Sequence, residues 1–176
     1  NNPERVKEKK HQDYEKHKDK RAPGYKKYYL EHRDEAIARA AEHSRRNPQK
    51  KSIHVHKRLA RKRELPATLT IQDWQNCLEY FNSCCAICGR VENEIHQISK
   101  EHWIPLSDSR PDNPGTVSHN ILPICHTRKG KRNGDIGCNN SKWRHDPEDW
   151  LHSKYHPDEV ARILQRIYTY FAQVKR

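Results

Sequence analysis

The residues able to do chemistry in this chain are six cysteines, an acid–histidine pair and several asparagines placed between the cysteines. Cys85-Ala-Ile-Cys88-Gly89 sets two thiols on a tight turn, with Gly89 supplying a permissive backbone, the form of a zinc knuckle. A closed tetrahedral site needs two more ligands, and Cys125 and Cys138 remain, with twelve residues between them. Cys84 competes with Cys85, but the two-residue spacing to Cys88 favours Cys85; Cys77 reads as a buried helix residue. Four thiolates make a structural Zn²⁺ site that replaces part of the core a small domain lacks.

Glu101-His102 is one of three Glu-His pairs, with Glu31-His32 and Glu42-His43, and its position distinguishes it. It lies between the two cysteine pairs, in an extended segment that continues Trp103-Ile104-Pro105-Leu106. Outside that setting His102 would read as an ordinary strand residue.

The elements that must hold these groups follow from periodicity. Thr70 caps a helix reaching about Phe81, with Asp73 completing a cap box and Ile71, Trp74, Leu78 and Phe81 on one core-facing stripe. Extended segments lead up to Ile104 and run from Asn120 to Ile124, and a short helix opens at Cys138-Asn139. A last helix starts at Pro157, with Asp158 and Glu159 set against its dipole. Its stripe of Val160, Leu164, Ile167, Phe171 and Val174 packs back on the domain or forms a subunit interface. Upstream, Ala-Pro-Gly at 22–24 punctuates a charge mixture. Helices are then expected over Tyr25–Arg46, ended by Asn47-Pro48, and from about Lys51 to Glu64. A weak repeat, Tyr14-Glu-Lys-His17, Tyr29-Leu-Glu-His32 and His43-Ser-Arg-Arg46, runs through this arm without building a core.

With Asn120-Ile-Leu-Pro-Ile-Cys125 and Cys138-Asn139-Asn-Ser-Lys142 added, residues Leu69 to Trp150 resemble the HNH, or His-Me finger, endonucleases. The closest likeness is to the zinc-containing type common in phage and bacterial genomes. The resemblance implies an α+β fold: a small ββα-metal core stapled by the four-cysteine zinc site, with a basic helical N-terminal extension and a C-terminal helix. It implies a metal-dependent endonuclease that hydrolyses phosphodiester bonds, leaving 5′-phosphate and 3′-hydroxyl ends. His102 would be the general base, with an ordinary near-neutral pKa suited to deprotonating water. Glu101 and Asn139 would hold one catalytic Mg²⁺ or Mn²⁺ through hard oxygen atoms. Asn120 would orient His102 and steady the loop. Lys142, one turn after Asn139, would lie near the phosphate, or else is a surface lysine. Two features depart from the family's pattern: the first acid is Glu where Asp is usual, and residues 126–137 form an insert between the last two cysteines. Arg128, Lys129, Lys131 and Arg132 in that insert either grip a DNA backbone or are solvated.

Charge distribution names the partner. Of the net +12, residues 1–66 hold 21 Lys+Arg against 10 Asp+Glu, whereas residues 67–176 hold 14 against 13. A basic helical arm over 1–66, including Arg58, Arg61, Lys62 and Arg63, is thus set against a near-neutral nuclease domain over 67–176. Double-stranded DNA is the expected partner, and a homodimer is expected if both strands are cut. Hydrophobic residues make up only 32%, so one large core along the whole chain is excluded. No apolar run reaches the ~20 residues of a membrane span, and the opening Asn-Asn-Pro-Glu-Arg has no signal-peptide stretch. Cysteines in such a chain point to metal in a reducing compartment, the cytoplasm of a bacterial or phage-infected cell. The alternative function is a non-catalytic zinc protein that binds nucleic acid. An RNA-directed module is disfavoured because no aromatic stacking platform is evident.

Overall fold

A computed structural model describes residues 3–128, 134 and 136–175. Lys129, Lys131 and Arg132, expected at a nucleic-acid surface, lie outside the described residues. The fold is α+β: seven α-helices, one turn of 3-10 helix and a two-stranded antiparallel sheet among the described residues.

Two compact units divide the chain, residues 1–48 and 49–176. The first consists of α1 (Pro3–Glu31) and α2 (Arg33–Arg46). Helix α1 runs through Pro23 and Gly24, where the sequence suggested a break. Lys, Glu, Arg and Ala are strong helix formers, and pairs at helical spacing such as Lys18–Glu15 (2.7 Å) and Lys27–Glu31 (3.9 Å) support a helix with little to bury. The break comes instead at His32, and α2 ends at Asn47 before Pro48, as expected.

Helix α3 (Pro48–Arg61) begins at the boundary, and from Gln49 onward it belongs to the second unit. The charge count groups 49–66 with the arm, but packing groups it with the core. Ile53 and Ala60 are buried, while Arg58, Arg61, Lys62 and Arg63 remain exposed.

Helix α4 (Ile71–Tyr80) carries the expected cap: the Asp73 amide donates to Thr70 Oγ1 (3.1 Å) and the Thr70 amide donates to the Asp73 carboxylate (2.8 Å). Strand β1 (His96–His102) pairs antiparallel with β2 (Ile121–Thr127), placing Glu101 opposite Leu122 and His102 opposite Ile121. A 3-10 turn, Ser118–Asn120, leads into β2. Helices α5 (Cys138–Lys142), α6 (Pro147–Lys154) and α7 (Pro157–Val174) complete the unit. The Asp146 carboxylate caps α6, a helix the sequence reading did not separate from its surroundings. The core joins Trp74, Cys77 and Phe81 of α4 to Ile121, Leu122 and Ile124 of β2 and to Ile163, Ile167 and Tyr170 of α7. The α7 stripe therefore packs back on its own unit.

Candidate functional site

The four expected cysteines meet. The Sγ atoms of Cys85, Cys88, Cys125 and Cys138 all lie within 4.8 Å of one another. Three elements deliver them: the knuckle at 85–88, strand β2 and the first residue of α5. Gly89 takes φ +70°, which lets the knuckle close with the Gly89 amide on the Cys85 carbonyl (2.9 Å). The Ala86 amide then fastens the turn to Pro123 of β2 (2.7 Å). Gly137 crosses against β2 so closely that a Cβ would sit 2.6 Å from the Cα of His126. That contact brings Cys138 back to Cys125 across the twelve-residue insert.

Backbone amides also point at the sulfurs, Cys125 N to Cys85 Sγ and Cys138 N to Cys125 Sγ, both 3.4 Å. The thiols titrate unequally: their neighbours' S–H groups push Cys88 far down and Cys125 down to about 7. Cys138 and Cys85 are pushed far up, chiefly because their protons bridge to Cys125. Four crowded sulfurs can all ionise only around a cation. Tetrahedral Zn–S bonds of ~2.3 Å place sulfurs about 3.8 Å apart, and Cys88 and Cys125 already stand at 3.7 Å. The cluster could hold a metal ion such as zinc. Cys84 lies outside it, with its thiol on the Asn82 carbonyl, and Cys77 is buried in α4 with its thiol pushed up to about 12 by burial.

At the other end of β1, alternation sends neighbouring residues to opposite faces. Ser99 and Glu101 face α5: Asn139 donates to Ser99 Oγ (3.3 Å), and Lys142 Nζ stands 3.7 Å from a Glu101 carboxylate oxygen. Burial pushes the Glu101 carboxyl up, while Lys142 and Asn139 pull it back down. Lys142 is fully buried, not a surface residue, and burial lowers its ammonium despite Glu101.

Lys100 and His102 occupy the opposite face, toward α3 and α4. Lys100 stacks its ammonium over Trp74 (4.4 Å to the ring) and donates to Gln49. The His102 ring lies 5.2 Å from that of His56 on α3, and its Nε2 is 2.8 Å from Thr116 Oγ1. His102 is only 6% exposed. Its pKa is not near-neutral as the sequence suggested but is pushed down to about 3, first by burial and then by the positive charges of His56 and Lys142. The imidazole is therefore neutral at physiological pH. It is a proton acceptor in form, held at low basicity by its surroundings.

The sign of the resulting pH dependence is fixed. Unfolded His102 titrates at 6.5, and the folded group does so near 3. The unfolded chain thus binds a proton that the folded chain refuses between these values. Stability is complete above pH 6.5 and declines as pH falls toward 3, by about 1.4 kcal/mol per unit. Lowering the pH from 7 to 5 should remove roughly 2 kcal/mol through this group alone. Urea unfolding of the wild type and His102→Gln at both pH values isolates the contribution, because acid effects at all other groups are common to both chains. An equal acid effect on both would remove His102 from the account.

Asn120 is wholly buried and binds backbone only: its Oδ1 accepts from Ile104 N (2.7 Å), and its Nδ2 donates to Ile104 O (3.1 Å) and Gly115 O (2.8 Å). It closes the 104–115 loop, and these bonds do not go to the His102 ring. The partner on that ring is Thr116, which sequence reasoning missed along with His56. A threonine after a loop glycine and a histidine in a basic helix carry no local signal of such a meeting.

Arg128, the described member of the insert's basic group, spends its guanidinium on Glu92 (2.6 Å) and on the Asn93 carbonyl (3.2 Å). Among the described residues no helix is long and apolar enough to cross a membrane. Comparison with family models, with curated proteins and with solved structures returns no match for this chain.

Proposed function

We propose that the chain is an HNH-type, metal-dependent DNA endonuclease whose hydrolytic site is built at the end of β1. The observation that carries this reading is the division of labour across one strand end. Glu101 meets Asn139 and Lys142 on one face, His102 stands on the other, and the four-cysteine cluster pins α5 beneath them. A protein that only binds nucleic acid has no need of an acid, an amide and a buried imidazole in this register.

The cysteine cluster suits Zn²⁺, by its four sulfur donors, and serves as a structural clasp. The Asn139 side chain hydrogen-bonds the Glu101 carboxylate, and the oxygens of the two residues would hold Mg²⁺ or Mn²⁺. When bound, such an ion supplies charge stabilisation at the phosphate and at the departing 3′ oxygen. His102, neutral at pH 7, takes a proton from the attacking water. The water oxygen bonds to phosphorus as the P–O3′ bond breaks, leaving 5′-phosphate and 3′-hydroxyl ends. Lys142 opposes the burial that raises the Glu101 carboxyl, and Asn120 holds the loop that carries the His102 side of the site.

Supercoiled plasmid incubated with the zinc-loaded protein and Mg²⁺ should convert to nicked or linear form, and no conversion at any Mg²⁺ or Mn²⁺ concentration would overturn the reading. Both strands would require two copies, since each chain has one such site. The second reading, a zinc protein that binds DNA without cutting it, is favoured by one observation: His102 is almost wholly covered where it stands.

Affinity in either reading falls to the basic residues. Residues 1–48 carry 14 Lys+Arg against 9 Asp+Glu and form a unit of their own, and Arg58, Arg61, Lys62 and Arg63 extend the positive charge. Deleting 1–48 should weaken duplex binding at least tenfold at about 0.15 M salt and flatten the dependence of affinity on salt. Fluorescence anisotropy over a salt series measures both, and an unchanged slope would show that this unit makes no phosphate contacts.

A further inference from the structure

Trp143 stands where a tryptophan is hard to place. It ends α5 at φ +45° and ψ −112°, with its amide on the Asn139 carbonyl (2.9 Å). Glycine takes a positive φ at a helix end without strain, and a bulky side chain held there is an outlier. The packing of the ring does not offset that strain. Trp143 is 63% exposed and takes no part in the core, whereas Trp74, Trp103 and Trp150 are buried.

Its neighbours are cationic. The Arg144 guanidinium lies over the indole, 5.1 Å from the ring centroid, and the His145 ring meets it edge to face at 6.5 Å. Arg144 meets no acid among the described residues. The next acid along the chain, Asp146, is engaged by Arg110 (2.9 Å) and by the amides of Glu148 and Asp149. On the other side, the Lys142 ammonium stands 3.5 Å from the Trp143 carbonyl and 3.7 Å from the Glu101 carboxylate. The exposed ring is thus rooted one residue from the group that faces Glu101. Its chain neighbours Lys142, Arg144 and His145 are all polar, so no apolar patch surrounds it for a protein partner to cover. A nucleotide matches both groups, with a flat base for the indole and a phosphate for the guanidinium. In continuous duplex each base face is covered by the next, so the ring can meet one only where a base is unpaired or a step is opened.

We propose that Trp143 and Arg144 form a stacking platform for an unpaired DNA base beside the phosphate held at Glu101. Arg144 covers one face of the indole, and the base takes the other. The strained turn keeps the ring out of the core and ready for it, and the bound base covers the apolar surface that the fold leaves in water. The position of the phosphate rests on the endonuclease reading. The platform gives that site a preference for DNA with a gap, flap or bulge over uninterrupted duplex.

Acrylamide quenching of tryptophan fluorescence tests the platform in the full zinc-loaded chain without any variant, because Trp143 is the exposed one of the four tryptophans. In the absence of Mg²⁺, a saturating duplex with a short single-stranded gap should shield Trp143 from acrylamide, and the uninterrupted duplex of the same sequence should leave it open. In anisotropy titrations Trp143→Ala should bind the gapped duplex about tenfold more weakly and the uninterrupted duplex nearly as the wild type does. Trp143→Phe should recover most of that loss. Trp143→Gly, which relieves the positive φ, should unfold at higher urea than Trp143→Ala yet bind the gapped duplex as weakly, which separates lost stacking from lost folding. A Trp143 left open to acrylamide in the wild-type complex with gapped duplex would overturn the proposal even if no variant folded. Wild-type affinity for gapped duplex in a folded Trp143→Ala or Trp143→Gly would also overturn it. Shielding and the gap preference without any plasmid nicking in Mg²⁺ would sustain the platform and sink the endonuclease; nicking with an unshielded Trp143 would do the reverse.

Discussion

With zinc bound by the four-cysteine cluster, as proposed, stripping the metal should unfold residues 49–176 as a unit. The cluster joins the knuckle, β2 and the start of α5, which are otherwise linked by a few hydrogen bonds such as Ala86 N to Pro123 O and Thr127 N to Asn140 Oδ1. The two-stranded sheet is too small to stand alone, and α5, at five residues, is too short to persist in isolation. Structural four-cysteine zinc sites contribute about 10–16 kcal/mol at neutral pH, comparable to the whole of the roughly 5–15 kcal/mol that holds a typical domain folded. Tryptophan fluorescence is a clean measure, since all four tryptophans lie in this unit and Trp74, Trp103 and Trp150 are buried. Chelation should shift their emission to the red and collapse the urea transition, and zinc should restore both. Cys125→Ser should behave as the chelated wild type, and Cys84→Ser should behave as the untreated protein. A chain that keeps its emission and its unfolding midpoint after complete metal loss would refute the structural role.

The second large effect is on catalysis. His102→Ala should lower the nicking rate by about 10² to 10⁴, the usual span for a lost general base. The fold and duplex affinity should be retained, since His102 makes no backbone bond of its own through its ring. His152→Ala, on the exposed side of α6, is the matched control and should cut as the wild type does. Glu101→Gln should also depress the rate and in addition raise the Mg²⁺ concentration needed for half-maximal activity, because a carboxylate is the stronger ligand for a hard cation. If His102→Ala nicked at the wild-type rate, the imidazole would have no part in the chemistry, whatever its place in the fold.

The low basicity of His102 bears on how such a site would work. A phosphodiester brings negative charge next to an imidazole depressed by burial and by His56 and Lys142. An anion at that position counters two of the three causes, so substrate arrival itself would raise the basicity of the group it needs. Because the imidazole starts near 3, it should still be unprotonated well below pH 6.5, so activity should hold up at acidic pH better than a free histidine would allow, by a margin that the substrate's charge narrows.

Much of this molecule was legible locally. The Thr70–Asp73 cap, the cysteine knuckle closed by Gly89, the two strands and the α7 stripe are set by neighbours within a few residues, and each stands where its residue types require. The meeting of Cys85, Cys88, Cys125 and Cys138 was also readable, because a closed tetrahedral site demands four ligands and few other thiols were on offer. Alternation along β1 correctly separated Glu101 from His102, since strand geometry leaves no other choice.

Tertiary structure decided the rest, and it did so through burial, which no spacing rule reports. Counted by charge, 49–66 belongs with the basic arm, yet Ile53 and Ala60 bind α3 to the core and bring His56 over His102. Lys142, which the sequence left either near the phosphate or at the surface, is fully buried 3.7 Å from the Glu101 carboxylate. Arg128 looks like a phosphate ligand and is engaged by Glu92 from a segment 36 residues earlier. The residue types determined which groups could do chemistry and in what local geometry. Only the packing of distant segments determined their solvent and their charge neighbours, down to the Thr116 hydroxyl against the His102 ring.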